Sequence, residues 1–90
     1  MTNRELLIDF GYEDSIIFDS PSYDSAIIGI STDGKVIYDY DEMVACLMDE
    51  DNMTYDEAVD FIDYNTIRSL PYAGDGAPIV MYKFIEEDKI

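Results

Sequence analysis

No histidine occurs in the 90 residues, which removes the commonest general base at neutral pH and the commonest transition-metal ligand. A single cysteine, Cys46, cannot form an internal disulfide or a Cys-x-x-Cys thiol pair, and fits a reducing compartment. No apolar run approaches the roughly 18 residues of a membrane-spanning helix. The opening MTNRELLIDFGYED has neither the basic start nor the apolar stretch of a signal peptide, so a cytoplasmic location is expected. Gly-x-Gly-x-x-Gly and P-loop patterns are missing too. Gly74-Asp75-Gly76 is too short to cradle a phosphate, and its carboxylate would repel one. With so many carboxylates, chance pairs are inevitable and point to no acid–base site. No enzyme, cofactor or metal site is expected.

Basic residues are the other scarcity. Arg4, Lys35, Arg68, Lys83 and Lys89 face 21 acids, and the formal net charge is −16. From Val36 through Ile67 there is no base at all, against Asp39, Asp41, Glu42, Asp49, Glu50, Asp51, Asp56, Glu57, Asp60 and Asp63. Such a field repels nucleic acid and anionic lipid and attracts a basic surface. It also costs stability through self-repulsion, and stability alone would intersperse the signs. General solubility and a basic partner are both consistent with it.

What is present is enough for a folded domain. Apolar residues make up 48% of the chain, too many for a disordered segment, and the length suits one domain over residues 1–90. Thr2-Asn3-Arg4-Glu5 has the form of a capping box opening a short helix that Gly11 ends. Ser15 to Phe18 reads as a strand or an extended segment, and the residues around Pro21 as a loop. SAIIGIS and KVIYDY flank Thr32-Asp33-Gly34, a hairpin pattern with strands near 25–31 and 35–39.

Asp39 then caps a helix whose inward stripe is Tyr40, Met43, Val44, Leu47 and Met48. Cys46 falls near the acidic side, where carboxylates raise a thiol pKa, and reads as a packing residue. Thr54-Tyr55-Asp56-Glu57 is a second capping box, opening a helix to Asn65 or Ser69 with Tyr55, Ala58, Val59 and Ile62 inward. Pro71 stops it. Ile79 to Phe84 reads as a last strand, followed by a frayed tail. The order α-β-β-α-α-β fits an α+β fold, a small, mainly antiparallel sheet with helices packed on one face.

The stretch MDEDNMTYDEAVDFID, residues 48–63, invites comparison with a calcium loop. From Asp49, Asp51 and Glu57 fall at oxygen-donor positions 3 and 9 of an EF-hand. Met53 at 5, Thr54 at the glycine position 6 and Asp60 at 12 do not fit. A simpler reading has Asn52 in a left-handed C′ position, Met53 packed inward and Thr54 capping the next helix.

On that helix Asp56, Asp60 and Asp63 form a row of charge repeating about every 5.4 Å, with Glu57 beside them. One strand of B-form DNA carries a phosphate about every 3.4 Å. Two acidic helices side by side approach that density. Tyr12, Tyr23, Tyr38, Tyr40, Tyr55 and Tyr64 each adjoin an acid, and rigid amphipathic rings among carboxylates suit a basic interface. Tyr64 and Tyr23 are the interface candidates. Tyr40 and Tyr55 fall on core stripes.

Residues 38–82 resemble a family of small acidic proteins from Firmicutes, their phages and mobile elements, above all in EAVDFIDYNTIRSLPY, a Gly-containing loop and PIVMY. The resemblance covers about half the chain, carries no assigned activity and supplies no catalytic residues. It implies a bacterial host. Small, strongly acidic phage proteins include anti-CRISPR and anti-restriction proteins that mimic DNA, a likeness of charge and size rather than of motif.

The expectation is an anti-CRISPR-type DNA mimic that occupies the basic nucleic-acid surface of a CRISPR-Cas effector or other DNA-binding nuclease. Asp49, Glu50, Asp51, Asp56, Glu57, Asp60, Asp63, Tyr64 and Tyr23 would make the contacts, with no direct nucleic-acid or membrane binding. The alternative is an acidic adaptor or antitoxin-like binder of a basic protein.

Overall fold

The computed structural model describes residues 3–12, 14–18 and 23–83. Helix α1 (Asn3–Asp9) ends where Gly11 turns left-handed at φ +88. The Gly11 N–H reaches the Ile8 carbonyl at 3.0 Å and the Tyr12 N–H reaches Leu7 at 2.8 Å. This paired closure satisfies carbonyls that the last turn leaves open. The capping Thr2 and the tail from Phe84 lie outside the described residues.

Residues 16–18 belong to no helix or strand among the described residues. The Phe18 N–H instead donates to the Tyr38 hydroxyl at 3.1 Å, and the two rings pack 4.7 Å apart. The first hairpin strand is shorter than its apolar run suggests, because Asp24–Ala26 form a 3-10 turn. Arg4 Nε lies 3.6 Å from Asp24 Oδ1, tying this turn to α1.

Strands β1 (Ile27–Ile30) and β2 (Val36–Asp39) are antiparallel, with an irregularity between Ile27 and Gly29. They are joined by a three-residue loop, Thr32-Asp33-Gly34. Gly34 sits at φ +87 and its N–H closes the turn on the Ser31 carbonyl at 3.0 Å, a conformation that a side chain there would strain. Strand β3 (Ile79–Met81) lies on the other side of β2 and runs parallel to it, giving the order β1-β2-β3. The sheet is therefore mixed, one antiparallel and one parallel ladder. Parallel pairing requires a crossover between strands, and α2 and α3 supply it. The fold is α+β, as the order of elements implies.

Helix α2 (Tyr40–Glu50) starts on Asp39, whose carboxylate accepts the Asp41 N–H at 3.0 Å. Tyr40, Met43, Val44 and Leu47 are buried as the stripe predicts, but Met48 is 40% exposed and Cys46 is buried in its place. The reason is the 3-10 turn, which packs on the Cys46 flank. Ser25 Oγ lies 2.7 Å from Cys46 Sγ.

Helix α3 (Tyr55–Phe61) opens on the full capping box: the Glu57 N–H donates to Thr54 Oγ1 and the Thr54 N–H to Glu57 Oε1. Ala58 and Ile62 are buried, whereas Tyr55, at the open end of the stripe, is 58% exposed. From Ile62 to Ile67 the backbone widens into a π-helical turn, and Asn65 Nδ2 donates to the Phe61 carbonyl at 3.1 Å. Pro71 sits inside a closing 3-10 turn, Leu70–Tyr72.

The most completely buried large side chains are Tyr38, Met43, Leu47, Ile62 and Val36, so the core lies between β2 and the two crossover helices. Among the described residues no helix is long and apolar enough to cross a membrane.

Candidate functional site

The α2–α3 corner gathers most of the acids singled out in the sequence. Asp49 and Glu50 close α2 and Asp51 is its C-cap. Asn52 follows at φ +56, Met53 turns partly inward against the core, and Thr54 opens α3. Asp49, Glu50, Asp51, Asp56, Glu57 and Asp60 are all exposed. Arg4 pairs with Asp24 and Lys35 with Asp33, and no ion pair among the described residues involves this corner. Nor, among the described residues, does any group of three or more Cys, Asp or Glu converge as a metal site would require.

These acids are not equivalent. Asp56 and Glu57 lie in the first turn of α3, where the positive end of the helix dipole favours them. Glu57 is also committed to the capping box. Asp49 and Glu50 lie in the last turn of α2, which holds no basic residue. There each carboxylate opposes the dipole at a cost of about 0.3–1 kcal/mol.

Asp63 is exposed but does not simply continue the Asp56–Asp60 row. Its Oδ1 accepts the Tyr40 hydroxyl at 2.9 Å, so it faces the start of α2 and holds the two helices together. Burial, then the bond to and the charge of Asp63, raise the Tyr40 pKa well above the usual phenol value.

The two tyrosine candidates separate. Tyr64 is 70% exposed, with one face taken by the Arg68 guanidinium 4.9 Å from the ring centre. That cation stacks on an aromatic rather than neutralising the corner.

Tyr23 is not on the surface. Only 2% exposed, it adopts φ 53, stacks edge-on against Phe18 at 5.8 Å, and shares a 3.0 Å hydrogen bond with Thr66 Oγ1. Its acidic neighbour in sequence misled, because the left-handed backbone turns the ring inward. Burial pushes its pKa up.

Two exposed tyrosines were missed. The β2–β3 register pairs Asp39 with Met81, which brings Tyr82 beside Tyr40, their rings 4.8 Å apart. Tyr72 is exposed on the closing 3-10 turn. Only knowledge of the parallel register could have found Tyr82. Burial raises the Cys46 thiol pKa, with the charges of Glu50 and Glu42 adding to it, so desolvation outweighs the carboxylates that sequence alone emphasised. The thiol is a packing group.

No family model, curated protein or solved structure matches the chain.

Proposed function

We propose that this protein is a phage- or mobile-element-type inhibitor that mimics DNA, offering the α2–α3 corner to the basic nucleic-acid surface of a nuclease complex. A CRISPR-Cas effector is the class of partner in view. One observation carries the reading. Asp49 and Glu50 stand exposed at the wrong end of a helix dipole, with Asp51 beside them and no basic partner among the described residues. Folding stability does not account for them there, while binding to a cationic surface does. Asp56 and Asp60, one helical turn apart on α3, extend the same negative face.

The test uses immobilised protein and a bacterial host lysate. The wild type should retain a DNA-binding nuclease that rising salt or excess duplex DNA releases. A variant with Asp49→Lys, Glu50→Lys, Asp56→Lys and Asp60→Lys should not retain it. Asp63 and Glu57 are left intact, since changing them would disturb the Tyr40 bond and the capping box. Equal retention by wild type and variant, or a retained protein indifferent to DNA, would overturn the proposal. A basic toxin whose retention DNA does not affect would favour the antitoxin-like alternative.

A further inference from the structure

Tyr82 follows β3 and is 70% exposed, although Tyr40, the ring it stacks on, is buried. An aromatic face left in water on so charged a chain is surface that folding does not use.

Tyr40 also fixes what stands beside that face. Its ring carries Tyr82 at 4.8 Å, and its hydroxyl donates to Asp63 Oδ1 at 2.9 Å. One buried side chain therefore sets an open aromatic face and an exposed carboxylate in fixed relation. A carboxylate has room for about four hydrogen bonds, so the Tyr40 bond leaves most of its acceptor capacity unused. Neither Asp63 nor Tyr82 enters an ion pair or a cation stack among the described residues. One helical turn supplies the chain's own precedent: the Arg68 guanidinium lies 4.9 Å from the centre of the Tyr64 ring. The Tyr82 face offers the same chemistry with a carboxylate added.

A guanidinium is the cation that can use both parts. Being planar, it lies on a ring while its edge N–H groups reach a carboxylate, whereas an ammonium is a compact, strongly hydrated charge. We infer that the Tyr82 face and Asp63 form an anchor for one arginine side chain of a partner protein. The guanidinium lies on the outer face of Tyr82 and donates to Asp63, with Tyr40 as the fixed support behind both. Buried tyrosine and arginine contacts are where interfaces concentrate their binding energy. The inference rests on the proposed function in one respect, that the partner is a cationic protein. It adds what charge alone does not give, a preference for arginine over lysine. The anchor stands at the start of α2, with Asp49 and Glu50 at the other end, roughly 15 Å along the helix. The two surfaces can therefore be tested apart.

The test titrates ¹⁵N-labelled protein with two blocked hexapeptides, one alternating Arg and Gly, the other Lys and Gly, at equal ionic strength. The Arg peptide should bind at least about threefold tighter and shift the amides of Asp63 and Tyr82 and the Tyr82 ring protons. Tyr82→Leu should bring the two peptides to equal affinity, whereas Tyr82→Phe, which keeps the ring, should retain the preference. Asp63→Asn, which keeps an acceptor for Tyr40, should reduce it. Tyr82 is largely in solvent, and an otherwise unchanged amide spectrum checks that each variant folds. The variant with Asp49→Lys, Glu50→Lys, Asp56→Lys and Asp60→Lys should weaken both peptides alike and keep the preference, which separates the anchor from the acidic corner. Equal affinity of the wild type for the two peptides, or binding of neither, would overturn the inference. So would a preference that survives Tyr82→Leu, or one that disappears with the corner acids.

Discussion

Tyr23 and Thr66 share a hydrogen bond across 43 positions of chain, and each is buried. Removing one partner strands the other away from water. Tyr23→Phe or Thr66→Val should each cost about 1–2 kcal/mol in urea unfolding. The double variant should cost clearly less than the sum, since neither polar group then remains unsatisfied.

Tyr40, Tyr23 and Cys46 all have raised folded-state pKa values. A raised value means the folded chain holds its proton more tightly than the unfolded chain. The stability linked to these groups is therefore fully present below their unfolded pKa values, about 8.5 for the thiol and 10 for the phenols. It is lost as pH climbs from there through the folded values. Unfolding free energy should fall steeply between pH 9 and 11, first through Cys46 and then through the tyrosines. Tyr40→Phe should be less stable at pH 7, having lost the Asp63 bond, but show a shallower fall above pH 10.

Among the elements, α2 is the one whose sequence argues with itself. Its start is well served, with Asp39 as cap and Asp41 and Glu42 in the first turn, while its end carries acids and no base. Asp49→Lys with Glu50→Lys should stabilise the fold by about 1 kcal/mol. At roughly 4–8 °C per kcal/mol for a domain of this size, the change is readable by thermal melting. The same pair contributes half of the variant expected to lose partner binding. A gain in melting temperature accompanied by loss of binding is the outcome a purely structural role could not give.

The elements also show what local pattern can and cannot reveal. The Thr54–Glu57 box, the Asp39 cap, the hairpin and the inward positions of Ala58 and Ile62 follow from spacing and short-range hydrogen bonding, and all were readable. Met48 and Tyr55 were misplaced, and Cys46, read as a packing residue near the acidic side, is buried. A helical wheel gives the direction of a stripe but not which flank a neighbouring segment covers. Of the site residues, the exposed acids were readable from charge alone. Tyr23 was not, because its burial depends on a left-handed backbone and a distant Thr66. The π-turn at Ile62–Ile67 has no glycine or proline to announce it.

For the whole molecule, the net charge of −16 sets a self-repulsion that no ion pair among the described residues offsets at the acidic corner. Added sodium chloride shortens the reach of that repulsion, from a Debye length of about 30 Å at 0.01 M to 3 Å at 1 M. The isolated protein should therefore melt several degrees higher at 0.5 M than at 0.01 M salt. A fall in melting temperature would show that attractive ion pairs dominate instead. Salt thus acts in opposite senses on folding and on binding to a cationic partner, weakening the complex while strengthening the free protein.

The parallel ladder between β2 and β3 joins Ile37 to Ile79, on either side of both crossover helices. During synthesis β1 and β2 leave the ribosome together and can close their local hairpin at once, whereas β2 waits for its second neighbour until both crossover helices have emerged. Loop closure over that distance is the slow, entropically costly step. Until β3 arrives, the hairpin has two open edges.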